Sequence, residues 1–354
     1  VQQIVTTEVE KNTYLNLTNG ASIVTDPKNG DVLALIGSKD YSDPESGNFN
    51  VVTALRQPGS SIKVVTYSAS LNKGFTAATI LDDSPVTYTF FNSPSYSPVN
   101  YDGQFHGKMS LRIALANSIN IPAVKVLAKI GLQDMIDLGR KMGITTWKNP
   151  SQYGLAITLG GADVKMIDMA AVYGVLANEG VRVDLNPILK VTDSLGNVLE
   201  EKNTIKETKQ VIDPGVAFII SNILADNAAR ALEFGTNSPL NIPNHYVSVK
   251  TGTSDNKRDN WTIGYTPDFV VAVWVGNNDN SPMSQSLASG ITGAAPIWHN
   301  IMVNLLPKAS TSTNRAVVPQ NVIQKDCIGR KEYFIKGTEN LVNCTFTLAP
   351  TPTP

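Results

Sequence analysis

The sequence predicts an α+β fold: a sheet assembled from both ends of the chain, with a helical middle section packed against it. Three observations carry this. Residues 21–26 and 31–37 are apolar runs on either side of Pro27-Lys-Asn-Gly30, the pattern of a β-hairpin. Residues 245–250, 261–265 and 269–275 are further strand-like runs, the last two joined by the turn Thr266-Pro267-Asp268. Between these ends, residues 60 to about 230 carry apolar side chains mainly at helical spacing.

Taken in order, residues 1–20 are polar without a strong period and read as a lead-in or linker. A helix is expected from Ser60, with Ile62, Val65 and Ala69 on one face, ending before Gly74. Residues 111–130 keep helical spacing up to Gly131, and residues 164–178 do so up to Gly180. Asp213-Pro214 ahead of Val216 reads as an N-cap followed by Pro at the first helical position. These central helices are expected to form a second lobe and to cover one sheet face. A last helix is expected over residues 294–306. Beyond Pro307 the composition shifts: 309–314 reads as a linker and 347–354 as a Pro/Thr-rich extended tail. The chain thus divides into a lead-in (1–20), one main domain (21–307) and a C-terminal extension (308–354).

The 354 residues are 42% hydrophobic, enough for one large core or two modest ones. With 17% charged residues and a net charge of −1, nothing favours nucleic acid or an anionic membrane surface as a partner. No apolar run is long enough to span a bilayer, and no signal peptide is recognisable. The first residue, Val1, leaves room for a longer, anchored protein. Cys327 and Cys344 read either as a disulfide closing a small C-terminal loop, which implies an oxidising, extracytoplasmic setting, or as two free buried thiols. His106, His245 and His299 lack metal-ligand spacing, so no zinc site and no cofactor is expected.

Three polar clusters carry the candidate chemistry. In the first, Ser60-Ser61-Ile62-Lys63, Ser60 falls at a helix start, where unpaired N–H groups and the dipole favour negative charge. Lys63 lies one turn on, on the same face. A serine hydroxyl needs a base to become a nucleophile. A lysine amine serves only when neutral, so burial or a second cation must lower its pKa; Lys250 would be that cation. An N-cap serine with a solvated lysine one turn later has the same pattern. In the second cluster, Ser118-Ile119-Asn120, two weak helix formers lie inside or at a break in a helical stretch. Ser118 suits a proton relay between the lysines and a leaving amine, and Asn120 suits a substrate amide. A polar kink or a helix–helix hydrogen bond is the alternative. In the third, Lys250-Thr251-Gly252-Thr253, Gly252 would let a substrate backbone approach a strand edge. The Thr253 and Ser60 N–H groups would form an oxyanion hole, and the Thr251 and Thr253 hydroxyls with Lys250 suit a substrate carboxylate. An ordinary edge strand entering a polar turn also fits.

Other chemistries fare worse. A Ser-His-Asp triad lacks a persuasive histidine, His106 reads as a loop-positioning residue, and no Walker-type phosphate loop is present. Residues 88–101, rich in aromatics and proline, line a cleft or pack as a surface loop.

Together with their flanks, these clusters resemble the transpeptidase domain of class A penicillin-binding proteins. Arg56-Gln-Pro-Gly-Ser-Ser-Ile-Lys63 resembles the nucleophile segment of that family. Asn100-Tyr-Asp-Gly, Gly107 to Arg112 and Ala114-Leu-Ala-Asn-Ser-Ile-Asn-Ile-Pro-Ala-Val124 resemble the stretch through its second motif. Lys250-Thr-Gly-Thr and Asp259-Asn-Trp-Thr-Ile-Gly-Tyr-Thr-Pro-Asp268 resemble its third motif and the strands that follow, and Val24-Thr-Asp-Pro to Ile36 its opening hairpin. The resemblance covers about residues 21–307. It implies a serine β-lactamase-like fold: an antiparallel sheet with flanking helices plus a mainly helical lobe. It implies Ser60 as the acylated nucleophile, Lys63 as its base, Ser118 and Lys250 as a proton-relay pair, Asn120 as the substrate-amide contact, and Thr251 and Thr253 as carboxylate-binding residues. The implied substrates are peptidoglycan stem peptides, a D-Ala-D-Ala donor and an amine acceptor, and β-lactams would acylate Ser60. The implied setting is the extracytoplasmic face of a bacterial plasma membrane.

Two departures stand out. Class A proteins also carry a glycosyltransferase domain and a membrane anchor; neither is in this chain, and residues 1–20 are expected to be the junction. Lys165 and Met166 stand where relatives often have a capping Thr and a Pro, so that helix start departs from the family's pattern. The residues leave the fate of the acyl group open. A D,D-carboxypeptidase or β-lactamase passes it to water, which in a β-lactamase takes a deacylating base that no carboxylate in the sequence can be assigned to. A β-lactam sensor or a non-catalytic wall-binding module is the reading from another class.

Overall fold

Runs from the two ends of the chain pair directly: Ile23 stands opposite Ala272, and Val24 opposite Val271. The computed structural model describes residues 1–44, 47–90, 93–201, 208–286, 288–307 and 316–345. Its main sheet is antiparallel and contains β1 (Asn19–Thr25), β2 (Val32–Ile36), β3 (Ser248–Thr253), β4 (Asp259–Tyr265) and β5 (Val270–Gly276). The spatial order is β3-β4-β5-β1-β2, so β3 is an edge strand. The helices in chain order are α1 (Gln2–Lys11), α2 (Lys63–Asn72), α3 (Leu111–Ala116), α4 (Asn120–Ile130), α5 (Leu132–Met142), α6 (Met166–Ala177), α7 (Pro214–Ala225), the single turn α8 (Ala231–Phe234) and α9 (Ala294–Leu305).

Strand alternation divides the apolar side chains between two cores. Along β5, Ala272 and Trp274 join the helical lobe of α2, α4, α5, α6 and α7, while Val271, Val273 and Val275 join α1 and α9. The central helices cover one face, as expected; α1 and α9 cover the other. Every residue of α2 from Lys63 to Leu71 is buried, which identifies it as the core helix of the lobe.

Several expectations change. The lead-in at residues 1–20 is helix α1 followed by the start of β1, with Val5 and Val9 buried. Only Ile4, Val5 and Val9 are apolar within α1, too few for a visible period. The 111–130 stretch is two helices, α3 and α4, broken at Ser118, whose φ is 61°. The start of α6 has no side-chain cap from Lys165; instead Asp168 in its first turn accepts from the Thr145 N–H (2.9 Å) and hydroxyl (2.8 Å), and its charge complements the dipole. The Asp213 cap and Pro214 are as read, with Asp213 Oδ1 accepting from Gly215 N.

The C-terminal extension contains a hairpin, β6 (Val322–Cys327) and β7 (Arg330–Ile335), with a Cys327–Cys344 disulfide. The expected linker at 309–314 and the tail at 347–354 lie outside the described residues. Tyr333 meets Phe218 of α7 edge-to-face, ring centroids 5.0 Å apart. Arg112 of α3, 1% exposed, donates to both oxygens of Glu332, to Asp226 Oδ2 at 3.2 Å and to Asn222 Oδ1 at 2.8 Å. The hairpin is thus tied into the lobe. Among the described residues no helix is long and apolar enough to cross a membrane.

Truncating one partner of a buried ion pair leaves the other charge without compensation. Glu332→Ala is therefore expected to lower stability by about 3 kcal/mol, read as a lower urea midpoint at unchanged slope; an unchanged midpoint would remove the strut role from the hairpin.

Candidate active site

A 3₁₀ turn over Gly59–Ile62 runs straight into α2, so Ser60 precedes the helix that Lys63 opens. The turn is pinned from several elements. Tyr173 Oη donates to Ser61 O at 2.8 Å, Trp261 Nε1 donates to Gln57 O at 2.8 Å, and the Arg56 and Val164 backbones exchange two 2.9 Å hydrogen bonds. Gly59 has φ 53°, and a Cβ there would stand 2.4 Å from Thr253 O and 2.6 Å from Thr253 N. This contact brings together the backbones that carry the Ser60 and Thr253 N–H groups. A Cβ on Gly252 would stand 2.3 Å from Pro58 O. The reason for glycine at 252 therefore differs from the expected one: the missing side chain makes room for the chain's own turn.

Lys63, fully buried, donates to Ser118 O at 2.5 Å, Asn120 Oδ1 at 2.6 Å and Ile119 O at 3.1 Å. The solvated-lysine reading is thereby excluded. The helix break at Ser118 makes these oxygens available, because the left-handed turn frees carbonyls that a continuous helix would use. The Ser118 hydroxyl accepts from Lys250 Nζ at 2.8 Å, and Lys250 also donates to Thr251 O at 2.8 Å. Both lysine clusters and Ser118 therefore meet; Ser60 is half-buried at the end of the same assembly.

The electrostatics favour neutral amines. Burial, and then the Lys250 charge, push Lys63 well below the usual lysine range, with Glu233 and Asp83 opposing. Burial brings Lys250 down to about 7, with Glu233 opposing and Arg230 adding to the fall. Three acceptors match the three protons of an ammonium, so a Lys63 that takes a proton from Ser60 must first be neutral and turn one contact toward it.

Thr251 and Thr253 occupy the opposite face of β3 from Lys250 and Gly252, because side chains alternate. Thr251 is buried, and a Cβ on Gly290 would lie 2.6 Å from Thr251 Cβ. Thr253 is half-buried, and its Oγ1 accepts from Asn260 Nδ2 at 3.3 Å. The expected grouping of both hydroxyls with Lys250 exists only around the strand edge, with Thr253 the more open of the two.

Asn120 is half-buried; its Oδ1 meets Lys63 and its Nδ2 donates to Val99 O at 2.9 Å. One amide hydrogen remains for a ligand. Val99 and Asn100, at the end of the 88–101 segment, thus border the site. His106 positions a loop as expected: its N–H and Nδ1 both meet Asp83 Oδ2 at 2.8 Å. Sequence reasoning missed Asp83, Asn100, Asn117 and Glu233. Asn117 accepts from Glu233 N at 2.9 Å and donates to Ala229 O at 2.7 Å, holding α8 against the break. The one sequence signal for Asp83 is a carboxylate ending the short strand Ile80–Asp83. Among the described residues no group of His, Cys, Asp and Glu is arranged to hold a metal ion.

The family model described as "Penicillin binding protein transpeptidase domain" matches residues 20–303. Penicillin-binding protein 1A of Aquifex aeolicus is 32% identical over 339 residues, covering 92% of this chain and 45% of its own length. That of Neisseria meningitidis serogroup A is 33% identical, covering 81% and 36%. The chain spans less than half the length of these curated relatives. Among solved structures, penicillin-binding protein 1A from Haemophilus influenzae superimposes with TM-score 0.78 at 27% identity, covering 91% of this chain and 54% of that one. The penicillin-binding protein PonA1 from Mycobacterium tuberculosis does so with TM-score 0.72 at 26% identity, covering 91% and 90%.

A methyl group at position 59 would push the Ser60 turn off β3. Gly59→Ala is expected to slow labelling of the protein by a fluorescent penicillin on the order of 100-fold; wild-type labelling would show that the close contact with Thr253 is dispensable.

Proposed function

The chain belongs to the penicillin-binding protein transpeptidase family, in its class A branch, and from that premise we propose that it catalyses D,D-transpeptidation of peptidoglycan stem peptides through an acyl-enzyme on Ser60. The observation that carries this reading is the array of buried Lys63 and Lys250 with half-buried Ser118 beside the Ser60 turn. Neutral Lys63 accepts the Ser60 proton as Oγ bonds to the penultimate D-Ala carbonyl carbon. The Ser60 and Thr253 N–H groups face the developing oxyanion. The proton passes through Ser118 and Lys250 to the amine of the terminal D-Ala, which leaves as the C–N bond breaks. An amine on a neighbouring stem then attacks the ester carbonyl, loses its proton to the same relay and frees Ser60. Asn120 holds the donor amide through its remaining N–H. The donor carboxylate reaches Thr253 around the strand edge, with Thr251 beneath it. β-Lactams acylate Ser60 by the same route and leave a stable ester. The disulfide suits action on the extracytoplasmic face of a bacterial membrane.

Intact-protein mass spectrometry after penicillin treatment is expected to find one adduct, mapped to the Ser60 peptide, absent in Ser60→Ala and persisting for hours. A lifetime of seconds would favour a β-lactamase, and adduct formation without cross-linking by the full-length protein a sensor.

Acylation is expected to speed up with rising pH as Lys63 loses its proton. Lys250→Gln removes a charge that holds the Lys63 pKa down, so that pKa rises and the ascending limb moves to higher pH. The second-order rate constant for a fluorescent penicillin, measured against pH, tests this; an unmoved limb would refute the electrostatic role of Lys250.

A further inference from the structure

A hydrogen-bond chain runs from a buried carboxylate outside the three clusters to the proposed base. Asp83, fully buried, accepts from Asn100 Nδ2 at both oxygens, each at 2.8 Å. Asn100 Oδ1 accepts from the backbone N–H groups of Asn120 (3.0 Å) and Ile121 (3.2 Å). Those are the first two N–H groups of α4, which has no side-chain cap of its own. Asn120 Oδ1 accepts from Lys63 Nζ.

We propose that Asp83 and Asn100 are positioning residues for the Ser60 site: the carboxylate fixes which way the Asn100 amide faces, and Asn100 in turn fixes the start of α4, so that the oxygens of residues 118–120 converge on Lys63. The polarity argument runs along the chain. Both Asp83 oxygens accept, from Asn100 and from the His106 N–H, so the Asn100 NH₂ faces the carboxylate. The Asn100 oxygen must then face α4, where orphan N–H groups need an acceptor. A second hydrogen bond, from Asn100 Nδ2 to Gln104 O at 2.7 Å, disfavours the flipped amide. The next residue back, Val99, accepts from the Asn120 side chain at 2.9 Å, so one loop holds both the backbone and the amide of Asn120. The charged and titratable groups around Asp83 are His106, which bridges it to Asp102 (Nε2–Oδ2 3.1 Å), Lys63, and the buried Tyr67 of α2, whose hydroxyl pKa is raised by burial and then by Asp83.

The proposal rests on Lys63 acting as the base for Ser60, and the test separates the two. Wild-type protein is first checked for a Ser60 penicilloyl adduct; its absence would sink the acyl-enzyme reading itself. Given that adduct, Asp83→Asn places a donor where only acceptors fit and lets the Asn100 amide turn over. The acylation step, from stopped-flow with a fluorescent penicillin, is expected to slow at least on the order of 10-fold, more than the preceding non-covalent dissociation constant changes. Asn100→Asp is nearly isosteric and covers the case in which Asp83→Asn does not fold. Two carboxylates at this spacing share one proton at low pH, which holds them together. As pH rises that proton leaves, the pair repels, and the variant is expected to gain a descending alkaline limb in its acylation profile that wild type lacks. Wild-type acylation constants in Asp83→Asn, or a wild-type pH profile in Asn100→Asp, would overturn the proposal.

Discussion

The rest of the site depends on one buried amine. Lys63 lies inside the lobe with no exposed surface, and an ammonium there without partners would cost several kcal/mol. Its partners are three oxygens from consecutive residues, Ser118, Ile119 and Asn120. The two main-chain oxygens, of Ser118 and Ile119, lie at the interruption between α3 and α4, where Ser118 is left-handed. That interruption also turns the Ser118 hydroxyl to Lys250, so one backbone feature joins two of the three clusters.

The sheet supplies the third element by geometry rather than by side-chain chemistry. β3 is an edge strand whose end is pressed against the Ser60 turn, with glycines at 59 and 252 where any Cβ would collide with backbone. Rigid backbone contact suits a site whose proposed oxyanion donors are main-chain N–H groups, because such donors help only when held before the charge develops. Alternation along the same strand sends Lys250 to the helical lobe and the threonines to the other face. Substrate recognition and proton transfer are thereby proposed to use opposite sides of one strand.

Legibility followed the range of each signal. The Pro27–Gly30 hairpin turn and the Asp213-Pro214 cap are local patterns with a single geometric meaning, and the structure has them where the residues implied. Helix α1 and the Val322–Ile335 hairpin were not legible. What orders them is a distant surface: Val5 and Val9 against the sheet, Tyr333 and Glu332 against the lobe. Asp83 was missed for the same reason. A lone aspartate in a strand is unremarkable until Asn100 and His106 close around it.

By itself the sequence determined the fold class, the family and the residue types of the site, because periodicity, turn chemistry and motif spacing are written within a few residues of one another. Only the tertiary structure decided that Lys63 is buried among carbonyl oxygens rather than solvated, that Gly252 accommodates the chain's own turn, and that Thr251 lies closed beneath Gly290. Those outcomes depend on which faces meet between segments far apart in the chain, and burial, not spacing, sets the charge state of an amine.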